Sequence, residues 1–292
     1  MHHTRLSKHG LILSLLSTVA LVAALILSVS LLQHASQAHA AGTGGASDGS
    51  PLHLVGPKQY YLALGDSLAY GFQPNGDNTH GYVPDLFQIL QNKGTTNLTN
   101  FGCPGETSTT FINGGCPFAP SGSPAQLTLA LAFLQAHAGM VSPVTLDIGA
   151  NDVLPDLVTC AVNKTKFNAD LATLNANLRG TILPDLKAAL TINGQITGDL
   201  VLMNYYDPFQ NICPKTVPFT LRLNAVLTAD TKAFGFSIVN VFRAFGGAAT
   251  PNPNICTYTW MCTAPPLGPN IHPTDTGYSV IANTFAAAIL PD

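Results

Sequence analysis

Five short apolar runs, at 60–64, 97–101, 144–148, 199–205 and 236–241, alternate with stretches of helical spacing. This alternation limits the fold more than any other feature of the chain. A strand with one wet face alternates apolar and polar residues. Leu62-Ala63-Leu64 and Leu200-Val201-Leu202-Met203 are instead apolar at successive positions, so both of their faces are covered. Covered strands separated by helices give a parallel sheet with helices on its two sides. The helices are expected over 83–92, where Leu86, Phe87 and Leu90 share a face, and over 125–138, 167–190, 219–234 and 274–290. Pro184 marks a kink or restart inside the third. Thr274 or Asp275 caps the last. The segments 102–107 and 246–273 are rich in turn residues and read as loops. No internal repeat and no second domain is evident, so the fold class is α/β with about five parallel strands.

Ligands of such sheets bind beyond the carboxyl ends of the strands. Three strand ends carry polar signatures there: Gly65-Asp66-Ser67, the segment 102–107, and Gly149-Ala150-Asn151-Asp152. A serine in a strand-to-helix turn is, taken alone, most often a helix cap. Acyl transfer needs a nucleophile, a base for its proton, and donors where the oxyanion develops. Ser67 can be the nucleophile. The amides of Ser67 and Gly105, with the Asn151 side chain, can be the donors. The base must come from few histidines, because His2, His3, His9, His34 and His39 precede Ala41. Of the rest, His53 lies in a tether, His137 ends a helix, and His80 sits in a loop near the first motif. His272, in the loop before the last helix, is the candidate base.

Residues 1–40 stand apart from the fold. Arg5 and Lys8 precede an apolar stretch at 11–32, which closes with Ala38-His39-Ala40. This is the three-part pattern of a secretory leader. The apolar stretch is nearly long enough to span a bilayer, so an uncleaved anchor is the alternative. Residues 41–58, rich in Gly, Ser and Ala, read as a flexible linker, and 59–292 as one domain. Once the leader is gone no membrane span is expected. Fifteen acidic residues face twelve basic ones, two of them in the leader, and no basic cluster occurs. Nucleic acid is therefore not an expected partner. Cys103, Cys116, Cys160, Cys213, Cys256 and Cys262 all follow the leader. An even number in an exported chain implies disulfides. Six cysteines admit fifteen connectivities. Sequential pairing closes the shortest loops, and each bridge contributes ~2–4 kcal/mol.

The blocks Gly65-Asp66-Ser67-Leu68, Gly102-x-x-Gly105, Gly149-x-Asn151-Asp152 and His272-Pro273 resemble, in order, the blocks of the SGNH or GDSL hydrolases. The resemblance spans nearly all of the chain after the leader. It implies a flavodoxin-like three-layer α/β/α sandwich and ester hydrolysis, with Ser67 as nucleophile and His272 as base. Gly105, with Gly102 as its rival, and Asn151 would complete the oxyanion hole. The family usually places an aspartate three residues before the histidine, where this chain has Pro269. Some secreted, disulfide-rich members use a backbone carbonyl there, and this chain resembles that branch. The expectation is a Ser67–His272 dyad oriented by the Pro269 carbonyl. Asp275 is the competing acid, more suited to capping the last helix, and Asp152 is assigned a structural role.

Tyr70, Phe72, Phe111, Phe118, Phe209 and Trp260 fall in loops near the inferred site and are candidates for an acyl pocket. Their apolar bias favours a small-molecule or lipid ester as substrate. No phosphate loop, metal-ligand cluster or dinucleotide fingerprint occurs, so no cofactor and no metal is expected. The expected product of this sequence is a secreted serine esterase or lipase, working as a monomer. A carbohydrate acetylesterase is the alternative with the same chemistry. A catalytically silent binding protein is the alternative without it.

Overall fold

The computed structural model describes residues 54–77, 79–158 and 160–290. The expected leader, and residues 41–53 of the expected linker, lie outside them. Five parallel strands form the central sheet: β1 (Tyr60–Gly65), β2 (Asn97–Asn100), β3 (Val141–Asp147), β4 (Leu200–Met203) and β5 (Ser237–Val239). Their spatial order is β2-β1-β3-β4-β5, the flavodoxin-like order. The α/β sandwich expected from the sequence is what forms. β3 and β4 are buried throughout, and β1 from Tyr61 onward, as their unbroken apolar runs require.

The helices in chain order are α1 (Ser67–Tyr70), α2 (Tyr82–Gln91), α3 (Ser108–Asn113), α4 (Gln126–Ala136), α5 (Ala150–Val153), α6 (Lys164–Asn177), α7 (Leu183–Ala189), α8 (Val217–Ala233), α9 (Val241–Ala244), α10 (Pro253–Tyr258) and α11 (Asp275–Ile289). α2 packs on α11, with Tyr82 stacked on Phe285 at 5.2 Å between ring centroids. α4 packs on α7, and α6 on α8, where Phe167 meets Phe219 edge-on at 4.9 Å.

Several boundaries differ from expectation for identifiable reasons. β3 begins at Val141 rather than at Val144. Pro143 cannot donate to the ladder, and a register shift between Tyr60 and Leu62 of β1 accommodates it. The chain stays helical from Lys164 to Ala189, but widens to a π-turn at Leu178–Ile182 just before Pro184. A proline lacks the N–H that would close an α-turn there. Segment 246–273 is not all loop: it holds α10 and a 3₁₀ turn at Trp260–Cys262. The linker ends earlier than 58, because Asp199, buried, accepts from the amides of Val55 at 2.9 Å and Gly56 at 2.8 Å. Lys58 Nζ donates to the carbonyls of Gly139 at 2.8 Å and Thr197 at 2.6 Å. Among the described residues no helix is long and apolar enough to cross a membrane.

Candidate active site

Everything that holds Ser67 converges on two buried carboxyl groups. β1 stops at Gly65, which takes φ +140°, and the turn puts Asp66 at the N-cap of α1. Asp66 Oδ1 accepts from Leu68 N at 2.9 Å, and its Oδ2 accepts from Tyr205 OH at 3.0 Å. The cap is thus supplied by Asp66, and the Ser67 hydroxyl is not used for it. Behind the turn, Asp147 Oδ2 accepts from the amides of Asp66 and Ala69, each at 3.2 Å. Asp147 Oδ1 accepts from Tyr82 OH at 2.6 Å. Asp66 and Asp147 are 2 % and 0 % exposed, and no Lys, Arg or His pairs with either among the described residues. Burial raises both pKa values, and the charge of Asp66 raises that of Asp147 further. Burial thus disfavours charge on both groups, and on Asp147 most.

Ser67 Oγ lies 2.8 Å from His272 Nε2. The loop carrying His272 is fastened at both sides of the ring. Trp260 N donates to the His272 carbonyl at 3.0 Å, and Asn270 N donates to the Trp260 carbonyl at 3.1 Å. Tyr206 OH donates to the Ile271 carbonyl at 2.7 Å. The Trp260 indole donates to the Pro273 carbonyl at 3.1 Å and to Gln73 Oε1 at 3.2 Å. Phe72 lies against the imidazole at 4.5 Å between centroids.

Two expectations about this histidine are corrected. The Pro269 carbonyl is not the partner of Nδ1: Pro269 is exposed, and Asn270 Oδ1 sits 2.6 Å from Nδ1. Asn270 Oδ1 also accepts from the backbone amide of His272 at 3.0 Å, a two-residue side-chain turn. Asp275 neither caps α11 nor faces Nδ1. Thr274 is the cap, accepting from Gly277 N at 3.3 Å, and Asp275 Oδ1 accepts from Gln73 Nε2 at 2.7 Å. Burial lowers the His272 pKa to about 4, so the ring is uncharged at neutral pH.

Of the expected oxyanion donors, Asn151 lines the same pocket as Ser67. Pro104 and Gly105 occupy the centre of a turn closed by Glu106 N donating to the Cys103 carbonyl at 3.1 Å. Gly105, at φ +82°, meets the positive-φ demand of that turn's third position. The neighbouring amides of Asp66, Leu68, Cys103 and Glu106 all donate within the protein, whereas those of Ser67 and Gly105 have no acceptor among the described residues. Gly102, the rival, donates its amide to Asn100 Oδ1 at 2.9 Å and has Ala69 and Tyr70 against its Cα. It serves packing. Asn151 Nδ2 donates to the Glu106 carbonyl at 3.0 Å, which ties it to the Gly105 turn and leaves its second amide hydrogen. Asp152 accepts from the amide and hydroxyl of Ser108 and anchors α3.

A pocket that opens to solvent, with about 570 Å³ of empty space counting the open part, begins at Ser67, Asn151 and His272. Its other walls are mainly apolar: Leu154, Leu157, Pro208, Phe209, Leu223 and Ile271, with Tyr205 and Tyr206. Of the six aromatic candidates only Phe209 lines it. Phe72 packs on His272 and Trp260 fastens the loop. Phe111 is fully buried on α3, while Tyr70 and Phe118 are 45 % and 67 % exposed. His137 stacks on Tyr60 at 4.1 Å, and His80 Nδ1 pairs with Asp77 Oδ2 at 2.6 Å. His53 is outside the described residues. Asp77, His80 and Asp275 bring donor atoms within 4.8 Å of one another, but hydrogen bonds inside the protein already occupy His80 and one oxygen of Asp275.

The three disulfides are Cys103–Cys116, Cys160–Cys213 and Cys256–Cys262. Sequence reasoning missed Asn270, Asp147, Tyr205, Tyr206 and Gln126. Gln126 clasps Gly65, donating to its carbonyl at 3.0 Å and accepting from its amide at 2.6 Å. The signals available were an Asn two residues before the histidine, and an Asp two residues before the Gly149-Ala150-Asn151-Asp152 block.

The profile of the GDSL-like lipase/acylhydrolase family matches residues 63–280. No curated protein matches the sequence. Among solved structures, Axe2, an acetylxylan esterase from Geobacillus stearothermophilus, is similar with a TM-score of 0.55 and 17 % identity, over 82 % of this chain and 98 % of that one. A protein from Parabacteroides merdae described as a GDSL-like lipase gives 0.53 and 19 %, over 82 % and 98 %. TesA gives 0.50 and 19 %, over 80 % and 98 %.

Proposed function

The chain belongs to the GDSL-like lipase/acylhydrolase family, a family of ester-bond hydrolases, and from that premise we propose that it is an exported serine esterase for esters with an apolar acyl chain. The observation that carries the substrate class is the mainly apolar cavity that starts at the Ser67 hydroxyl. An acyl group bound there removes apolar surface from water at about 0.8 kcal/mol per methylene.

Ser67 Oγ attacks the ester carbonyl carbon while its proton passes to His272 Nε2 across the 2.8 Å bond. The carbonyl oxygen becomes an oxyanion and accepts from the amides of Ser67 and Gly105 and from Asn151 Nδ2. Collapse expels the alcohol, which takes the proton from Nε2 and leaves an acyl-Ser67. A water molecule then gives a proton to Nε2, attacks the acyl carbon, and releases the acid and the Ser67 hydroxyl. Export is part of the proposal, supported by six cysteines that are all paired.

A carbohydrate acetylesterase is the second reading, since Axe2 is an acetylxylan esterase by name; at 17 % identity that likeness concerns the fold. The test takes the chain from Ala41 onward and compares p-nitrophenyl acetate with p-nitrophenyl octanoate. A serine-reactive phosphonate is added in parallel, and the labelled peptide is identified by mass spectrometry. The expected result is kcat/KM at least about tenfold higher for octanoate, with the label on Ser67. Preference for acetate together with release of acetate from acetylated xylan would establish the second reading. No turnover and no label would mean a silent binding protein.

A further inference from the structure

We infer that Asn270 is the positioning residue of this site, its amide carbonyl standing where related sites use a carboxylate, and that a neutral partner there sets the acid limit of the enzyme. The inference rests on Ser67 and His272 being the reacting pair.

The geometry fixes the protonation of the ring without reference to any titration. A backbone N–H can only donate, so the Asn270 atom 3.0 Å from His272 N is the carbonyl oxygen, not the amide nitrogen. That same oxygen lies 2.6 Å from Nδ1. An oxygen without a proton can only accept, so Nδ1 carries the hydrogen. Nε2 is then bare and accepts from the Ser67 hydroxyl, the tautomer a general base requires. One side-chain oxygen thereby sets the backbone turn, the ring orientation and the tautomer.

What Asn270 does not supply is negative charge. The groups facing the ring from other elements are the Ser67 hydroxyl and Phe72 ring of the α1 region, Asp66 behind Ser67, and Asn151 of α5. After β4 come the hydroxyls of Tyr205, donating to Asp66, and of Tyr206, donating to the Ile271 carbonyl. On its own side Asp275 is held by Gln73, and beyond it lie Asp77 and His80. No Lys or Arg lines the cavity. The partner of Nδ1 is the neutral Asn270 amide, and no carboxylate contacts Nδ1 among the described residues. Burial therefore acts unopposed, and the ring stays neutral down to about pH 4. The sign follows: kcat/KM is flat above that pH and falls tenfold per unit below it, because only the unprotonated ring can take the serine proton.

The experiment uses the chain from Ala41, p-nitrophenyl octanoate between pH 3 and 8, and the variants Asn270→Asp and Asn270→Leu. Asn270→Asp keeps both acceptors and the turn, and adds charge. Its acid limb is expected to move up by about 1–3 pH units, with kcat at pH 8 within about tenfold of the parent. Asn270→Leu removes the acceptor, and its kcat is expected to fall by about 10²-fold or more with KM little changed. An Asn270→Asp limb that stays where the parent's is would overturn the inference, even if Asn270→Leu fails to fold. So would an Asn270→Leu enzyme with the parent's kcat. Phosphonate labelling of Ser67 in the parent keeps the two levels apart: its absence sinks the functional reading, whereas normal labelling with an unmoved limb sinks the role of Asn270 alone.

Discussion

Ser67→Ala lowers kcat/KM for p-nitrophenyl octanoate by about 10⁴-fold or more while leaving the folded chain as stable as the parent. The two halves of this expectation come from different atoms. Turnover depends on Oγ, the only group that links the ester carbonyl to His272 Nε2. Without it the amides of Ser67 and Gly105 still polarise the carbonyl, but no acyl-enzyme forms, and losses of this size are typical for such a unit. Stability does not depend on Oγ, because Asp66 rather than Ser67 caps α1 by accepting from Leu68 N. The mainly apolar cavity beside Ser67 is also unchanged, so on the proposed reading binding of octanoate persists. Calorimetry and steady-state kinetics on the same preparation check both halves. Retention of more than about 1 % of parent activity would remove Ser67 from the mechanism, and a large fall in Tm would mean that its hydroxyl has a structural role.

Gly65→Ala is expected to lose both stability and activity. Gly65 has φ +140°, where a side chain is strained whatever the space. A Cβ there would also fall onto the carbonyl and carboxyl oxygens of Asp147. Asp147 cannot yield easily, since its oxygens are engaged by Asp66 N, Ala69 N and Tyr82 OH. Nor can Gly65, held on both sides by Gln126. The combined cost is about 3–4 kcal/mol, a fall in Tm of about 10 °C for a domain of this size. Activity should fall further than the folded fraction does, because a displacement of Ser67 by a fraction of an ångström weakens its alignment with His272. Gly94→Ala is the control. Gly94 has φ +97° but nothing within 4 Å of the added carbon, so it isolates the backbone term at about 1 kcal/mol. If the two variants melt together, the collision with Asp147 is not real.

These two glycines illustrate what a one-dimensional reading can reach. That a strand ends at Gly65 is visible in the run of apolar residues before it. Why it must be glycine is not, because the clashing atoms belong to Asp147, on the neighbouring strand. The same holds for Gln126, which looks like an ordinary first residue of an amphipathic helix and is in fact the clasp on Gly65. Local patterns carried the sheet: each covered strand announced itself, while the flavodoxin-like arrangement of the strands was implied only by the family resemblance. α3 escaped because Ser-Thr-Thr-Phe-Ile-Asn has poor helix propensity. It is held instead by a reciprocal cap between Thr107 and Thr110, and by Asp152 on Ser108. Without α3, the sequence places Phe111 among the loop aromatics rather than in the core. At the site, Asn270 was hidden for the opposite reason. Attention to the position of the missing aspartate led to Pro269, while the acceptor came from the adjacent residue through a turn that the backbone amide of His272 completes.

The positions of the cystines give this molecule two separate kinds of durability. None of the three crosses the sheet. Cys103–Cys116 brackets the Gly105 turn and joins positions 13 apart. Cys160–Cys213, 53 apart, ties the chain beyond Leu157 to the chain beyond Phe209, two walls of the cavity. Cys256–Cys262, 6 apart, encloses Trp260, which fastens the His272 loop. The strands and their helices are held by apolar packing that thiols do not touch. A mild reductant should therefore behave as an inhibitor before it behaves as a denaturant: ester turnover fades while the far-ultraviolet circular dichroism stays constant. Coincident loss of both signals would contradict this. The corollary concerns manufacture: a batch produced under reducing conditions passes a far-ultraviolet test of foldedness and still arrives with its catalytic end untailored.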